Sequence, residues 1–242
     1  MDNLLILTIV VVLFSTVQSL FGVGLLVFGT PTLLLLGYPF ESTIALLLPA
    51  SITISFLQVL SGRNHIEHLK KDILVYCVPF IVLGLTLVLS VRAVDMKLFV
   101  GIILVGTAFM RCHETTKAYL AECLKRHRKL FMMSMGLIHG LSNMGGGLLT
   151  VLVSSSNYEK DSIRANVAYG YLIFAAAQLT VLALLNPSLF SLSSVILSAV
   201  SLLTYGTVGK VLYLKSPKAV YQQLITVLVL AYGAILVCQH FM

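Results

Sequence analysis

Gly22-Val23-Gly24 and Gly145-Gly146-Gly147 stand inside long apolar runs, where neither a surface turn nor a linker belongs. Glycine weakens a helix interior, so each cluster predicts unwound backbone and a new helix start. A helix start carries unpaired N–H groups and partial positive charge. With no Cβ in the way, a small anion can approach such backbone and be held without a charged side chain. Gly22, Gly24, Gly145, Gly146 and Gly147 are therefore candidate substrate-binding positions. The plainer reading is that they let helices pack closely, as small residues do in membranes.

Polar residues gather around both clusters. Gln18, Ser19 and Thr30 flank the first, while His139, Ser142 and Asn143 precede the second. Polar side chains at membrane depth face the protein interior or a wet cavity, so Gln18, Ser19, Thr30, Ser142 and Asn143 join the candidates. For Ser and Thr the ordinary alternative is a back-bond to their own helix. Asn166, Tyr169 and Gln178 lie further along the next apolar run and could line the same cavity. His139 could couple a proton, or sit neutral against a carbonyl. His65, His68, His113 and His127 fall in charged loops and read as solvated.

Other chemistries fit poorly. Gly140-Leu141-Ser142-Asn143 faintly resembles an intramembrane serine-protease motif, but a nucleophile needs a base and an orienting third group. His139 has no such third group, and the only late histidine is His240. Cys77, Cys112, Cys123 and Cys238 lack metal-ligand spacing and read as reduced packing residues. No Walker motif is present, so ATP does not drive the protein directly. The sequence calls for no enzyme activity, no metal and no cofactor.

The elements that must hold these residues are membrane helices. The chain is 58% hydrophobic and 10% charged, with a mean hydropathy of +1.00, against about 25% charged in ordinary soluble domains. Eight apolar segments follow, at roughly 4–36, 42–62, 73–91, 96–112, 130–153, 163–185, 188–208 and 218–240. Pro31 and the glycines break the first, and Gly145–Gly147 interrupts the fifth. The N-terminal run has no basic region or cleavage site, so it is read as a span and not as a signal peptide.

Charge then selects a topology. If all eight segments cross, the 16 Lys and Arg divide nine against seven. If the two broken segments enter and leave by one face, Lys160, Arg164, Lys210, Lys215 and Lys218 change sides. The division becomes 14 against two, which the positive-inside rule strongly prefers. The same rule accounts for the net charge of +7 without nucleic acid. Each hairpin limb needs only about ten residues to reach the midplane.

The halves also resemble each other at an offset of 123. Gly22–Leu26 aligns with Gly145–Leu149, Ser19 with Ser142, Glu41 with Arg164 and Ala45 with Ala168. The expected fold is an all-α integral membrane protein of two inverted repeats, each a re-entrant glycine-broken segment plus three transmembrane helices. Residues 1–112 form the first repeat, 113–129 a basic cytoplasmic linker and 130–242 the second repeat. Inverted repeats with broken helices at the midplane are a recurring transporter plan. Both termini are expected outside a cell membrane. The expected partners are a small anion and the lipid bilayer, with room for a homo-oligomer.

These motifs resemble the TauE/SafE sulfite-exporter family. The resemblance rests on Gly22-x-Gly24 with Pro31, Gly145-Gly146-Gly147-Leu148-Leu149, Glu41–Ser51 and Ser162-Ile163-Arg164-Ala165-Asn166. Gly206-x-x-Gly209 and the Gln223–Val237 helix extend it over nearly the whole chain. It implies a permease exporting small sulfur-containing anions such as sulfite or organosulfonates. The alternative is a passive channel, or a carrier for a different small solute, on the same scaffold. The first half lacks the triple glycine that many family members carry.

Overall fold

The computed structural model describes residues 3–66, 69–91, 95–112, 114–155, 159–215 and 218–241. It describes backbone alone at 69–70, 111–112, 114–121, 123, 125, 210, 214–215, 218–226 and 240–241. His68, Arg92 and His113 lie outside the described residues. So do the side chains of Lys70, Arg111, Cys112, Lys117, Cys123, Lys125, Lys210, Lys215, Lys218 and His240.

Every described element is helical. The first half comprises α1 (Leu4–Phe21), α2 (Leu25–Leu35), α3 (Phe40–Gly62), α4 (Leu69–Asp72), a π-turn (Ile73–Cys77), α5 (Val78–Ser90) and α6 (Met96–Cys112). The second comprises α7 (Glu114–Ser142), α8 (Gly145–Ser154), α9 (Lys160–Leu185), α10 (Leu192–Thr204), a π-turn (Tyr205–Gly209), α11 (Lys210–Lys215) and α12 (Lys218–Phe241). Five described stretches are long and apolar enough to cross a bilayer: Leu4–Phe21, Phe40–His65, Ile73–Ser90, Lys160–Leu185 and Leu192–Tyr213. Leu25–Leu35, Met96–Met110, Gly145–Ser154 and Val227–Gln239 are apolar but shorter. The chain is a multi-pass α-helical membrane protein.

The breaks fall where residues adopt a left-handed backbone. Gly22 ends α1 at φ 77°, and Asn143 follows α7 at φ 66°. Only glycine reaches that region without cost, and asparagine is among the few residues that tolerate it. This corrects the reading of the second segment. The unwound residues are Asn143 and Met144, and the triple glycine forms the first turn of α8. Of the stretch expected to be a linker, residues 114–129 form the first part of α7, which is kinked at His127 (φ −126°, ψ 35°).

α2 folds back along α1, stacking Phe28 against Phe14 with ring centroids 5.9 Å apart. Tyr232 of α12 closes that cluster, 6.0 Å from Phe28. α8 packs back on α7 in the same way. The limbs are unequal, however. α2 and α8 have 11 and 10 residues, whereas α1 has 18, a rise of about 27 Å. Nine of the α2 residues are buried, as expected for a helix enclosed by protein on all sides and not facing lipid.

α3 and α9 are the central pair and run antiparallel. A methyl at Gly62, near the end of α3, would stand 2.8 Å from Ala165 Cβ, near the start of α9. α6 and α12 pair likewise: Gly101 meets Leu236 and Val237, and Gly233 meets Val105. Pro49 inside α3 has no N–H, which strips the Ala45 carbonyl of its helical partner. Ser194 of α10 supplies one, its Oγ donating at 3.1 Å. In lipid a carbonyl left bare costs several kcal/mol, so this hydroxyl fixes where α10 docks.

Candidate functional site

At the first break, Gln18 organises everything around it. Its Nε2 donates to Ser51 O (3.1 Å), Ser51 Oγ (3.2 Å) and Ser55 Oγ (3.0 Å). Its Oε1 accepts from the Leu25 N–H at 3.1 Å, so the start of α2 is capped by side chain. The carbonyl of Gln18 accepts from the Gly22 N–H at 2.8 Å and from Gln58 Nε2 at 2.8 Å. Gln58 Nε2 also reaches the Ser19 carbonyl, at 3.1 Å. The Ser19 hydroxyl makes the ordinary back-bond, to Ser15 O at 2.7 Å. A methyl on Gly24 would stand 2.5 Å from Gln18 N, so α1 and α2 touch backbone to backbone.

The second break repeats the frame with other chemistry. The Asn143 N–H donates to the His139 carbonyl at 2.7 Å, and Gln178 Nε2 donates to the same carbonyl at 3.1 Å. Gln58 and Gln178 thus perform one task in the two halves, each tying off the last turn of a broken helix. Ser142 Oγ back-bonds to Ile138 O at 2.6 Å and accepts from the Met144 N–H at 3.2 Å. Asn143 Nδ2 donates to Thr30 Oγ1 at 2.8 Å, which joins the second break to the middle of α2.

More polar atoms go unmet at this second break than at the first, where Ser15 Oγ and Gln58 Oε1 lack partners. His139 Nδ1 and Nε2, Asn143 Oδ1, Tyr171 Oη and Gln178 Oε1 are buried without a partner of normal geometry. The His139 ring lies 4.7 Å from Phe174 and 6.2 Å from Tyr171. A methyl on Gly145 would stand 2.5 Å from His139 Cβ, and one on Gly146 2.5 Å from Tyr171 Cε2. One on Gly147 would stand 2.8 Å from Thr107 Cγ2. All three glycines therefore let α8 begin against its neighbours, and their N–H groups start a helix beside atoms that lack partners.

Asn166 does not join this group. Its Nδ2 bonds Ser162 O (2.8 Å) and His65 O (2.9 Å), tying the start of α9 to the chain after α3. Twelve residues of helix, about 18 Å, separate it from Gln178. Beside Asn166, Arg164 Nη1 donates to the Ser19 carbonyl at 3.3 Å. Its guanidinium stacks 3.4 Å over the Tyr213 ring. Lys160 Nζ donates to Tyr213 O at 2.9 Å, and the Tyr213 hydroxyl bonds Asp161. A cationic cluster thus sits at the first break.

Sequence reasoning missed Ser51, Ser55, Gln58, Tyr171 and Phe174. A signal was available. Ser51, Ser55 and Gln58 share one helix face, as do Tyr171, Phe174 and Gln178. Ser51 and Gln58 correspond to Tyr171 and Gln178 at an offset of 120, the same offset that relates the helix starts at Leu25 and Gly145. The carbonyls of Gln18 and His139, tied off alike, are related by 121, and the glycine clusters by 123.

No curated protein and no solved structure matches this sequence. A family profile does: the one described as sulfite exporter TauE/SafE covers residues 7–236. The helical membrane fold and the match over nearly the whole chain agree, and the chain belongs to the TauE/SafE family of membrane transporters for sulfur anions such as sulfite.

Proposed function

We propose that this protein is a secondary transporter exporting small sulfur oxyanions, sulfite or organosulfonates, across the cell membrane. The observation that carries the reading is the second break. There a helix start, three glycines and several partnerless polar atoms are buried together. Neutral donors and backbone N–H groups suit a compact anion that must be released again on the far side. Asn143 and Thr30 belong to this site, with Gly145, Gly146 and Gly147. Gln18, Ser19, Gly22, Gly24, Ser142 and Asn166 act as its supports.

The halves are read as inverted repeats, each a re-entrant hairpin plus three spans, with both termini outside. Antiparallel pairing of α3 with α9 and of α6 with α12 supports this, because equivalent helices in inverted halves must run oppositely. Cysteines placed at Asn3 and Gln239 should both react with an impermeant reagent from outside, and one at His127 only from inside. Termini on opposite faces would remove the re-entrant arrangement.

The substrate is tested by purified protein in liposomes loaded with sulfite, thiosulfate, methanesulfonate or acetate. Saturable, counter-ion-dependent flux of the sulfur oxyanions is the expected result. Flux that rises linearly with every solute would make the protein a channel instead.

A further inference from the structure

Two helix starts converge on one phenol. Tyr171, midway along α9, is fully buried, and its hydroxyl makes no hydrogen bond of normal geometry. That hydroxyl lies at the backbone N–H groups of Leu26 and Val27, in the first turn of α2. The neighbouring Leu25 N–H is already taken by Gln18 Oε1. On the other side, a methyl on Gly146 would stand 2.5 Å from Tyr171 Cε2 and 3.1 Å from Cζ. The first turn of α8 therefore presses on the ring beside its hydroxyl. Both helices direct the partial positive charge of their N-terminal ends toward this point. Arg164, the cation on the same helix, lies seven residues away, about 10 Å along the axis. It is engaged with Tyr213 and the Ser19 carbonyl.

We infer that Tyr171 is a substrate-binding residue. Its hydroxyl donates to an oxyanion seated between the first turns of α2 and α8, and without substrate it lies at the α2 end itself. This rests on the oxyanion-transporter reading and adds a side chain and a selectivity to it. A ligand bridging two helix starts needs at least two diverging oxygens, so a sulfite or a sulfonate head fits where a halide does not.

The experiment compares full-length wild type with Tyr171→Phe, which keeps the ring and removes only the hydroxyl. Sulfite, methanesulfonate and chloride are titrated into each by calorimetry, with thermal unfolding as a control for folding. In the variant, sulfite and methanesulfonate should bind about tenfold or more weaker, as expected for a lost hydrogen bond to a charged group. Its unfolding temperature should fall little, because the hydroxyl it loses makes no hydrogen bond of normal geometry to the Leu26 and Val27 amides. Chloride should compete in neither protein. Wild type and variant binding sulfite within twofold of each other would overturn the role of Tyr171 and leave the transporter reading standing. Wild type that binds neither sulfur oxyanion would overturn the transporter reading itself. If the variant does not fold, hydrogen exchange on wild type decides: sulfite must slow exchange at Leu26, Val27, Gly145 and Gly146. Unchanged exchange at those four amides in the presence of bound sulfite would equally overturn the inference.

Discussion

The two helix breaks are built on one frame and finished in opposite ways. At the first, Gln18 satisfies the start of α2, two serines and, through Gln58, its own last turn. At the second, His139 stands where Gln18 stands and Tyr171 where Ser51 stands, and neither ring makes a hydrogen bond of normal geometry. A buried polar network that is fully satisfied fixes a structure, while one left unsatisfied costs stability unless something else completes it. The first break leaves Ser15 Oγ and Gln58 Oε1 over and meets the rest of its described polar groups, so it is mainly a fastening. The second has the chemistry of a seat.

The largest effect that sharpens this comparison is expected from Gly24→Ala. Its methyl would lie 2.5 Å from Gln18 N and 3.0 Å from Phe14 O, and backbone cannot swing aside. Overpacking of that kind should cost about 3 kcal/mol, read as thermal unfolding in detergent. Gly146→Ala meets side chains only, Tyr171 and Val27, so it should cost less stability yet abolish sulfite binding. Equal damage to stability by both, with binding retained in the second, would break the comparison.

Next in size is Gln18→Leu, which strands the Leu25 N–H and two serine hydroxyls. Interhelical hydrogen bonds in membranes average about 0.6 kcal/mol each, so a loss of about 2 kcal/mol is expected. His139→Leu exchanges a buried imidazole without a hydrogen bond of normal geometry for an apolar side chain of similar size, and should change stability by less than about 1.5 kcal/mol. His139→Gln should retain sulfite binding, and its pH–rate profile will show whether the imidazole carries a proton. A smaller pair of effects comes from the matched amides. Gln58→Leu frees two carbonyls and Gln178→Leu one, so the first should cost roughly twice as much, about 1 kcal/mol. Smallest of all, Ser142→Ala loses a back-bond within its own helix. It should leave sulfite affinity unchanged within about a factor of two.

Much of this was legible in the sequence, and the limits are physical. Hydropathy placed the segments because lipid demands long apolar runs, and α6 was bounded at 96–112 as the structure has it. Glycine announced both breaks but misplaced the second. Asn143 also tolerates a left-handed backbone, and Gly145–Gly147 is used for close packing at the start of α8. Tyr171 was invisible because an aromatic in an apolar run reads as core until its buried hydroxyl is seen to make no hydrogen bond of normal geometry. The unequal lengths of α1 and α2 could not be read from charge, which reports the face a loop lies on and says nothing of how deep a helix reaches.

The paired π-turns also set how the chain tolerates insertions and deletions. Each places one extra residue in a helix at the point where it meets the broken helix of the other half. The first brings Cys77 against Gly136, and the second brings Gly209 against Ser19. Losing one residue from Ile73–Cys77 would restore uniform α-helical bonding there, which is locally favourable. It would also rotate everything beyond by about 100° and turn Gly84 away from Leu137 and Leu141, which it now touches. The reading frame of the lipid-facing surface could absorb such a shift, since one apolar side chain serves there as well as another. The seam between the halves could not, and a single-residue deletion at either π-turn should uncouple them more completely than any substitution on the lipid face.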